Sequence, residues 1–399
     1  MTEKTKIKIG IYALAILMMG VIGVSGALTV IAEQFPGASQ SQVQSIISFP
    51  CIAIIPATLI TGKLMDIFPK KTIGITGAFI FLIGGVVPGY CTSLTVILGF
   101  RILFGVGVGI VQSVTSALVA ENFTGAERES VQGHMTAAQM IGCAVMVLTG
   151  GWLGDISWNI SFSVHWIAVI TIVLAFLCIP LVKQQDNGDG DGGKRRTWKL
   201  TRGSWRWAFA IFALFIGVQI YAVFISYLLS EKAIGTAAQS GLTLAIADVG
   251  GFLMGIAYGR FAGFAKRMTF AAGLLIMAVS YVRVAFAESL GVMCLGGFVY
   301  GLALSICTPV VFVGTANSVD AGSSAMALSI AMCAQNLSQF LCPYIFNGVT
   351  DFFEIESPSR FVFLIGAAYL CIMGVIAAGW GTGRVVRVWR FPLHARRNN

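Results

Sequence analysis

Two charged side chains stand well inside long apolar runs of this sequence, and they are the residues best placed to do chemistry. Asp248 lies in Ala245-Ile-Ala-Asp248-Val-Gly-Gly251, and no other acid falls near the middle of such a run. A lone carboxyl in an apolar setting can take up and release protons near neutral pH, which is the chemistry of proton coupling. Arg101 opens Arg101-Ile-Leu-Phe104-Gly105-Val-Gly107-Val-Gly109. A guanidinium there is costly unless it is paired, reaches the interface or is tethered to backbone carbonyls. A third group is the amide cluster Gln335-Asn336 and Gln339, because buried amides need partners from elsewhere in the fold. Single Ser and Thr residues are weaker signals, since in apolar helices they more often bond their own backbone.

The runs that carry these residues define the class of protein. The chain has 399 residues, 57% of them hydrophobic and only 11% charged, with a mean hydropathy of +0.85. A soluble domain carries about 25% charged residues, so this chain cannot clothe a water-facing surface. Apolar stretches recur from end to end, at about 9–32, 43–63, 72–91, 94–119, 131–153 and 161–182, then 205–229, 239–260, 268–287, 290–316, 323–347 and 359–381. Each is about the length that spans a bilayer. The expected fold is therefore an all-α membrane protein with twelve transmembrane helices in two six-helix bundles. The first run follows Met-Thr-Glu-Lys-Thr-Lys-Ile-Lys without a small-residue cleavage site, so it reads as the first helix rather than a signal peptide. Between the sets lies a polar segment with Asn187-Gly-Asp-Gly-Asp-Gly-Gly193 and Lys194-Arg195-Arg196, a composition typical of solvated linkers. The domains are accordingly 1–182, a linker at 183–204, and 205–399 with a basic tail.

Charge then orients the chain. With the N-terminus inside, all of the 26 Lys and Arg except Arg101, Lys232, Arg283 and Arg360 fall in inner segments. This bias places both termini in the cytoplasm and the protein in the cytoplasmic membrane. The net charge of +9 is thus a signature of topology rather than of nucleic acid, and the tail Arg384-Val-Val-Arg387-Val-Trp-Arg390 is suited to lipid headgroups. The nine cysteines are odd in number and lack metal-ligand spacing, so they read as small packing residues. Asn122-Phe-Thr124 matches a glycosylation acceptor on the wrong side of the membrane. The Gly105, Gly107 and Gly109 run has no strand before it and is no phosphate loop.

Two faint repeats join the halves. A shift of 193 places Gly62-Lys-Leu-Met-Asp66 on Gly255-Ile-Ala-Tyr-Gly259, and a shift of 196 places Gly105, Gln139 and Asp155 on Gly301, Gln335 and Asp351. Six helices, a linker and six more is the parallel-repeat layout of many secondary transporters.

With these residues in view, the chain resembles the major facilitator superfamily over essentially its whole length. The loop Gly62-Lys-Leu64-Met-Asp66-Ile-Phe-Pro69-Lys70-Lys71 is similar to the family's signature between helices 2 and 3, with Pro69 where glycine is usual. The resemblance makes Gly62, Asp66, Lys70 and Lys71 a gating latch. Arg101 and the glycines after it look like the family's helix 4 signature, with Phe104 in place of Gln, which implies a role in proton coupling or helix packing. The Gly-Pro pair common in drug-exporting antiporters is missing from helix 5, where Gly142 to Gly154 holds glycines and no proline.

The resemblance also implies a cavity lined by helices 1, 4, 7 and 10, with 2, 5, 8 and 11 at the seam between halves. Helix 1 then offers Ser25 and Thr29; helix 4 offers Gln112, Ser113, Thr115 and Ser116. From helix 7 come Gln219, Tyr221, Ser226 and Tyr227, and from helix 10 Tyr300, Ser305, Thr308 and Asn317. Helix 11 adds Gln335, Asn336, Ser338 and Gln339. Gln112, Gln219, Tyr221, Tyr227, Thr308, Gln335, Asn336 and Gln339 are the expected substrate contacts. Uncharged hydrogen-bonding groups among aromatic rings suit a small organic molecule on an apolar wall. Asp248, Arg101 and His134 are the expected proton-coupling set, with His134 and Gln139 on helix 5 as possible neighbours of Asp248, and His165 as a structural residue.

The expected function is proton-coupled uptake or exchange of a metabolite by a monomeric secondary transporter, with no cofactor, metal, nucleic acid or enzyme chemistry. Drug or metabolite efflux by proton antiport is the alternative, as is a transporter-derived lipid translocator or sensor. A lipid handler needs a lateral apolar opening, and a sensor needs an extension for which the residues after Gly381 leave little room.

Overall fold

Over the residues described, each expected apolar stretch falls mainly on helix in the computed structural model, which describes residues 2–180, 201–319, 324–355 and 357–382. Helix α1 (Glu3–Leu17) is followed by two short 3-10 turns and α2 (Leu28–Gln34). Then come α3 (Gln40–Leu64), α4 (Lys70–Val86), α5 (Leu94–Asn122), α6 (Gly125–Ile156) and α7 (Ile167–Cys178). The second set is α8 (Arg202–Glu231), α9 (Ala237–Ala265), α10 (Thr269–Ala285), α11 (Leu290–Ala316), α12 (Ser324–Phe352) and α13 (Pro358–Thr382). Among the described residues there are no strands. Most of the linker and all of the tail Arg384, Arg387 and Arg390 lie outside the described residues.

Ten stretches are long and apolar enough to cross a membrane among the described residues. One of them, Ala237–Ala285, runs through both α9 and α10, and α12 is not among the ten. Helix α12 is as long as its neighbours but holds Gln335, Asn336, Ser338, Gln339, Asn347 and Asp351. Polar side chains at that density lower its apolarity. Two of them reach α3, Gln339 at Cys51 and Asn347 at Ser41 and Gln44, while Asn336 and Ser338 bond carbonyls of α12 itself and Asp351 is exposed.

Local sequence explains where the helices start and bend. Ser39 and Gln42 form a reciprocal capping box at the start of α3, and Thr236 with Gln239 does the same for α9. Each box satisfies two of the otherwise orphaned N–H groups of a helix N-terminus. The Thr201 hydroxyl accepts from Ser204 N at the start of α8. Prolines inside α3 (Pro50, Pro56), α11 (Pro309) and α12 (Pro343) each remove one backbone donor and free a carbonyl one turn earlier. The first run is broken at residues 18–27, between α1 and α2.

Helices α3, α4 and α5 pack together, and α1 packs on α6 and α7. In the second set α9 packs on α11, α10 on α11 and α13, and α8 on α12 and α13. The most extensive contacts joining the sets are α6 with α9 and α3 with α12, and smaller ones run from α2 and the turn before it to α8 and α9. The end of the assembly where α1 begins carries Lys4, Lys8, Lys63, Lys70 and Lys71; it is called the basic end below, and the opposite end the far end. At the far end the sets are clasped by side chains. Asn347 Nδ2 donates to Gln44 Oε1 (2.6 Å) and to Ser41 Oγ (2.9 Å). Tyr344 and Ser45 share a 2.6 Å bond, Ser226 donates to the Gly26 carbonyl (2.9 Å), and Thr236 donates to Asp155 (2.7 Å). Gly26, Gly151 and Gly241 meet there so closely that a methyl on Gly151 or Gly241 would strike backbone across the seam. Toward the basic end α9 has no buried residue after Gly251, and Ile256 is 73% and Phe264 87% exposed. A Cβ on Gly255, Gly259 or Gly263 would meet nothing within 4 Å.

Candidate functional site

Small residues bring α9 against both of its neighbours, and Asp248 sits at that junction. Gly250 and Ala247 lie against α11 at Phe298 and Gly301, while Gly241 lies against Val147 of α6. Close backbone approach through small residues is the usual way helices associate within a membrane. Asp248 therefore stands midway along α9, with α6 on one side and α11 on the other. Its Oδ2 is buried and has no hydrogen-bond partner. The Cys143 thiol of α6 lies beside the carboxyl, and Tyr221 of α8 and Tyr300 of α11 also interact with it.

The expected neighbours of Asp248 are elsewhere. Gln139 Nε2 reaches the Met18 sulfur at 3.2 Å. His134 is exposed, with its ring 6.0 Å from that of Tyr12. It lies nine residues before Cys143, about 13 Å along the helix axis. Cys143, read from sequence as packing alone, occupies the place given to those two. The signal that could have found it is the register of the α6–α9 seam, in which Gly151, Val147 and Cys143 succeed one another by four residues.

Arg101 is fully buried. Its Nε donates to the Ile46 carbonyl (2.7 Å) and its Nη2 to the Val21 carbonyl (3.1 Å). Ile46 is four residues before Pro50, so its carbonyl is the one that the proline leaves without a helical partner. Val21 lies in the break between α1 and α2. The guanidinium thus ties two interrupted helices together, and it stacks on Phe104 at 4.1 Å. Phe104, at the place of the family's usual Gln, packs in turn on Phe81 and His165. His165 is fully buried with its ring nitrogens against the Phe162 and Gly20 carbonyls.

The expected substrate contacts separate into two groups. Tyr221 is fully buried, stacked on Tyr300 at 4.4 Å and 14°, with its hydroxyl against Gly297 and no hydrogen-bond partner. Thr308 bonds the Leu304 carbonyl and Asn336 the Met332 carbonyl of their own helices. Gln219 is buried and Gln335 half-buried. Tyr227 packs beside α2 and α3 with its hydroxyl unpartnered. By contrast, Gln112 and Gln339 reach across between the sets: Gln112 Nε2 meets the Met332 sulfur at 3.6 Å, and Gln339 Oε1 accepts from the Cys51 thiol at 3.4 Å. Sulfur is a weak hydrogen-bond partner. These amides therefore give up little when they exchange it for a hydroxyl or carbonyl. Thr29 and Ser226, both candidate lining groups, bond each other at 3.1 Å.

In the loop between α3 and α4, Lys70 pairs with Glu121 of α5 at 3.0 Å, and Lys71 lies over the Phe176 ring at 4.7 Å. Asp66 is exposed and engaged in an interaction, and a Cβ on Gly62 would meet nothing within 4 Å. Nearby, Lys4 and Lys8 of α1 converge on Glu127 at the start of α6, at 3.2 and 3.0 Å. Bonds from Lys8 and then Lys4 hold the Glu127 carboxyl below its ordinary value. Among the described residues there is no cluster of three His, Cys, Asp or Glu side chains able to hold a metal ion.

Comparison with known proteins gives a consistent picture. The family described as Major Facilitator Superfamily matches residues 10–263. The multidrug transporter protein MdtP of Bacillus subtilis (strain 168) is 28% identical over 130 residues, 32% of this chain and 24% of that one. A triacylglyceride transporter of Mycolicibacterium smegmatis is 32% identical over 149 residues, 36% of this chain and 26% of that one. The chain thus spans about a quarter of the length of the curated relatives it matches. Among solved structures, a D-xylose–proton symporter superposes with a TM-score of 0.75 at 16% identity, covering 94% of this chain and 97% of that one. The nucleoside transporter NupG gives 0.74 at 15%, covering 95% and 99%. At these identities the likeness is one of fold.

Proposed function

The chain belongs to the major facilitator superfamily as a multi-pass membrane transporter rather than an enzyme, and from that premise we propose that it moves a small organic solute across the cytoplasmic membrane by alternating access coupled to protons. The observation that carries the coupling is Asp248, an acid in the middle third of α9 on the seam between the two sets of helices. A group placed there meets different surroundings as the sets rock, so its protonation responds to the state of the transporter.

In this reading residues 1–182 and 205–399 are the rocking halves, each with six crossings, and the basic end faces the cytoplasm with both termini. The far-end clasp and the bare basic half of α9 then correspond to an inward-facing state. Gln112, Gln339, Gln335 and Asn336 supply the solute's polar contacts, with Gln219, Tyr227 and Thr308 around them and Tyr221 fixing the wall behind. Arg101 serves coupling by holding α1, α3 and α5 together as one body. The Gly62–Lys71 loop, with Asp66, Lys70 and Lys71, is the latch that engages when the basic end closes. His134, exposed at that end, is placed to pass protons to the cytoplasm.

Helix α6 lacks the proline of the drug-exporting signature, which favours uptake or exchange of a metabolite. Efflux is the second reading, supported by the similarity to a multidrug transporter. The test is proton movement in proteoliposomes containing a pH-sensitive dye, challenged with a panel of hexoses, nucleosides, amino acids and lipophilic amines. One class of solute is expected to move protons with it, and Asp248→Asn to abolish the proton component while solute binding persists. Undiminished proton-coupled flux in that variant rejects the assignment of Asp248.

A further inference from the structure

Asp248 has a neighbour in the opposite set of helices, and the register of the seam fixes which one. From the far end, Gly151 of α6 lies against Ala237 and Gly241 of α9, and Val147 lies against Gly241. One turn further along α6, Cys143 packs in the same buried cluster as Leu244, Ala245 and Ala247. Its thiol lies beside the Asp248 carboxyl. No ion pair to Asp248 is present among the described residues. Among the described residues, the titratable groups that interact with it are Cys143 from α6, Tyr221 from α8 and Tyr300 from α11. Of these, the Tyr300 hydroxyl already donates to the Val218 carbonyl (2.9 Å), and the Tyr221 hydroxyl is turned to Gly297. Cys143 is the donor that belongs to the other half.

We propose that Cys143 is a positioning residue for Asp248: its thiol donates a hydrogen bond to the carboxylate across the α6–α9 seam, so that ionising Asp248 and separating the two helices are linked. The inference rests on the proton-coupling reading of Asp248. With the seam closed the carboxylate has the thiol and little else, since Oδ2 is shut away from solvent without a partner. When the seam parts, the thiol is withdrawn from Asp248 and water takes its place. The thiol therefore favours the closed seam while Asp248 is ionised, and it keeps the seam from springing apart as soon as the proton leaves.

Hydrogen–deuterium exchange of residues 252–265 in nanodiscs, compared among variants at each pH, reports how far the basic half of α9 is uncovered without any need for a solute. The wild type is expected to change protection with pH, and Asp248→Asn to show no such change. Cys143→Ala removes the donor and should move the midpoint to lower pH by about half a unit, roughly threefold in proton activity, because a thiol is a weaker donor than the groups whose bonds to a charged acceptor are worth a unit or more. Cys143→Ser keeps a donor and should restore the wild-type midpoint. If Cys143→Ala does not fold, Cys143→Val makes the same comparison. Infrared spectra give a second readout: the S–H stretching band lost on removing Cys143 should lie at lower frequency in the wild type than in Asp248→Asn. A wild-type midpoint in Cys143→Ala, or an S–H band indifferent to Asp248, overturns the role of Cys143 and leaves proton coupling standing. A pH response that persists in Asp248→Asn removes both.

Discussion

At the scale of single residues, the two charges inside the apolar runs turn out to be held in opposite ways. Arg101 donates to two backbone carbonyls, each exposed by an interruption in its own helix. Arg101 leaves only Nη1 unpartnered, whereas Asp248 has one oxygen buried without a partner and only the Cys143 thiol beside its carboxyl. The first arrangement resembles a rivet and the second a group left free to change. Arg101→Met should therefore cost on the order of 2 kcal/mol, since two buried carbonyls lose charge-assisted bonds while a buried charge is relieved. A melting point several degrees lower in detergent, with the pH profile of transport unchanged, is the expected result. An altered pH profile at unchanged stability would instead place Arg101 in the proton path.

At the scale of elements, the seam between α6 and α9 is the part most sensitive to added volume. A side chain on Gly241 falls on the Val147 carbonyl, which cannot move without displacing α6. Gly241→Val should separate the far ends of the two helices and raise amide exchange in residues 143–155 and 237–248 at least about tenfold over the wild type. The tie between α1 and α6 behaves differently, because it is electrostatic and exposed. Glu127 is held below its ordinary value by Lys8 and Lys4. Its contribution is then complete above the unfolded value of about 4.3, and it is lost only as pH falls through the lower folded value. Exchange protection of residues 2–10 should accordingly be flat from pH 8 to 5 and drop only in stronger acid, and Glu127→Gln should remove the drop. Because the pair is open to solvent, raised salt should weaken the tie even at neutral pH.

At the scale of the whole molecule, the clasp of Asn347, Tyr344, Ser226 and Thr236 at one end and the exposed basic half of α9 at the other are, in the alternating-access proposal, one of two states. The orientation of that machine has a direct test. A protease site inserted at 187–193 should be cut in inverted membrane vesicles and resist the same protease in intact cells. Cutting in intact cells would reverse the assignment and make the bare face extracellular. The fold class was legible in the sequence because a bilayer imposes helix length and apolarity on each segment separately. Asp248 and Arg101 were legible for the same reason, since a rare charge in an apolar run stands out without knowledge of its neighbours.

What the sequence by itself determined about this protein is its membrane nature, the approximate position of every helix, and the short set of charges that need explaining. Only the tertiary structure decided who explains them. It placed Cys143 beside Asp248 where His134 or Gln139 was expected, gave Arg101 the carbonyls freed by Pro50 and by the break in the first run, and turned Tyr221 into the wall of the second set. Helix periodicity fixes which face a residue occupies, but which helix meets that face depends on crossing angle and register. Those are set by small residues such as Gly151 and Gly241 acting through backbone contact, and a contact of that kind leaves no chemical mark on the sequence around it.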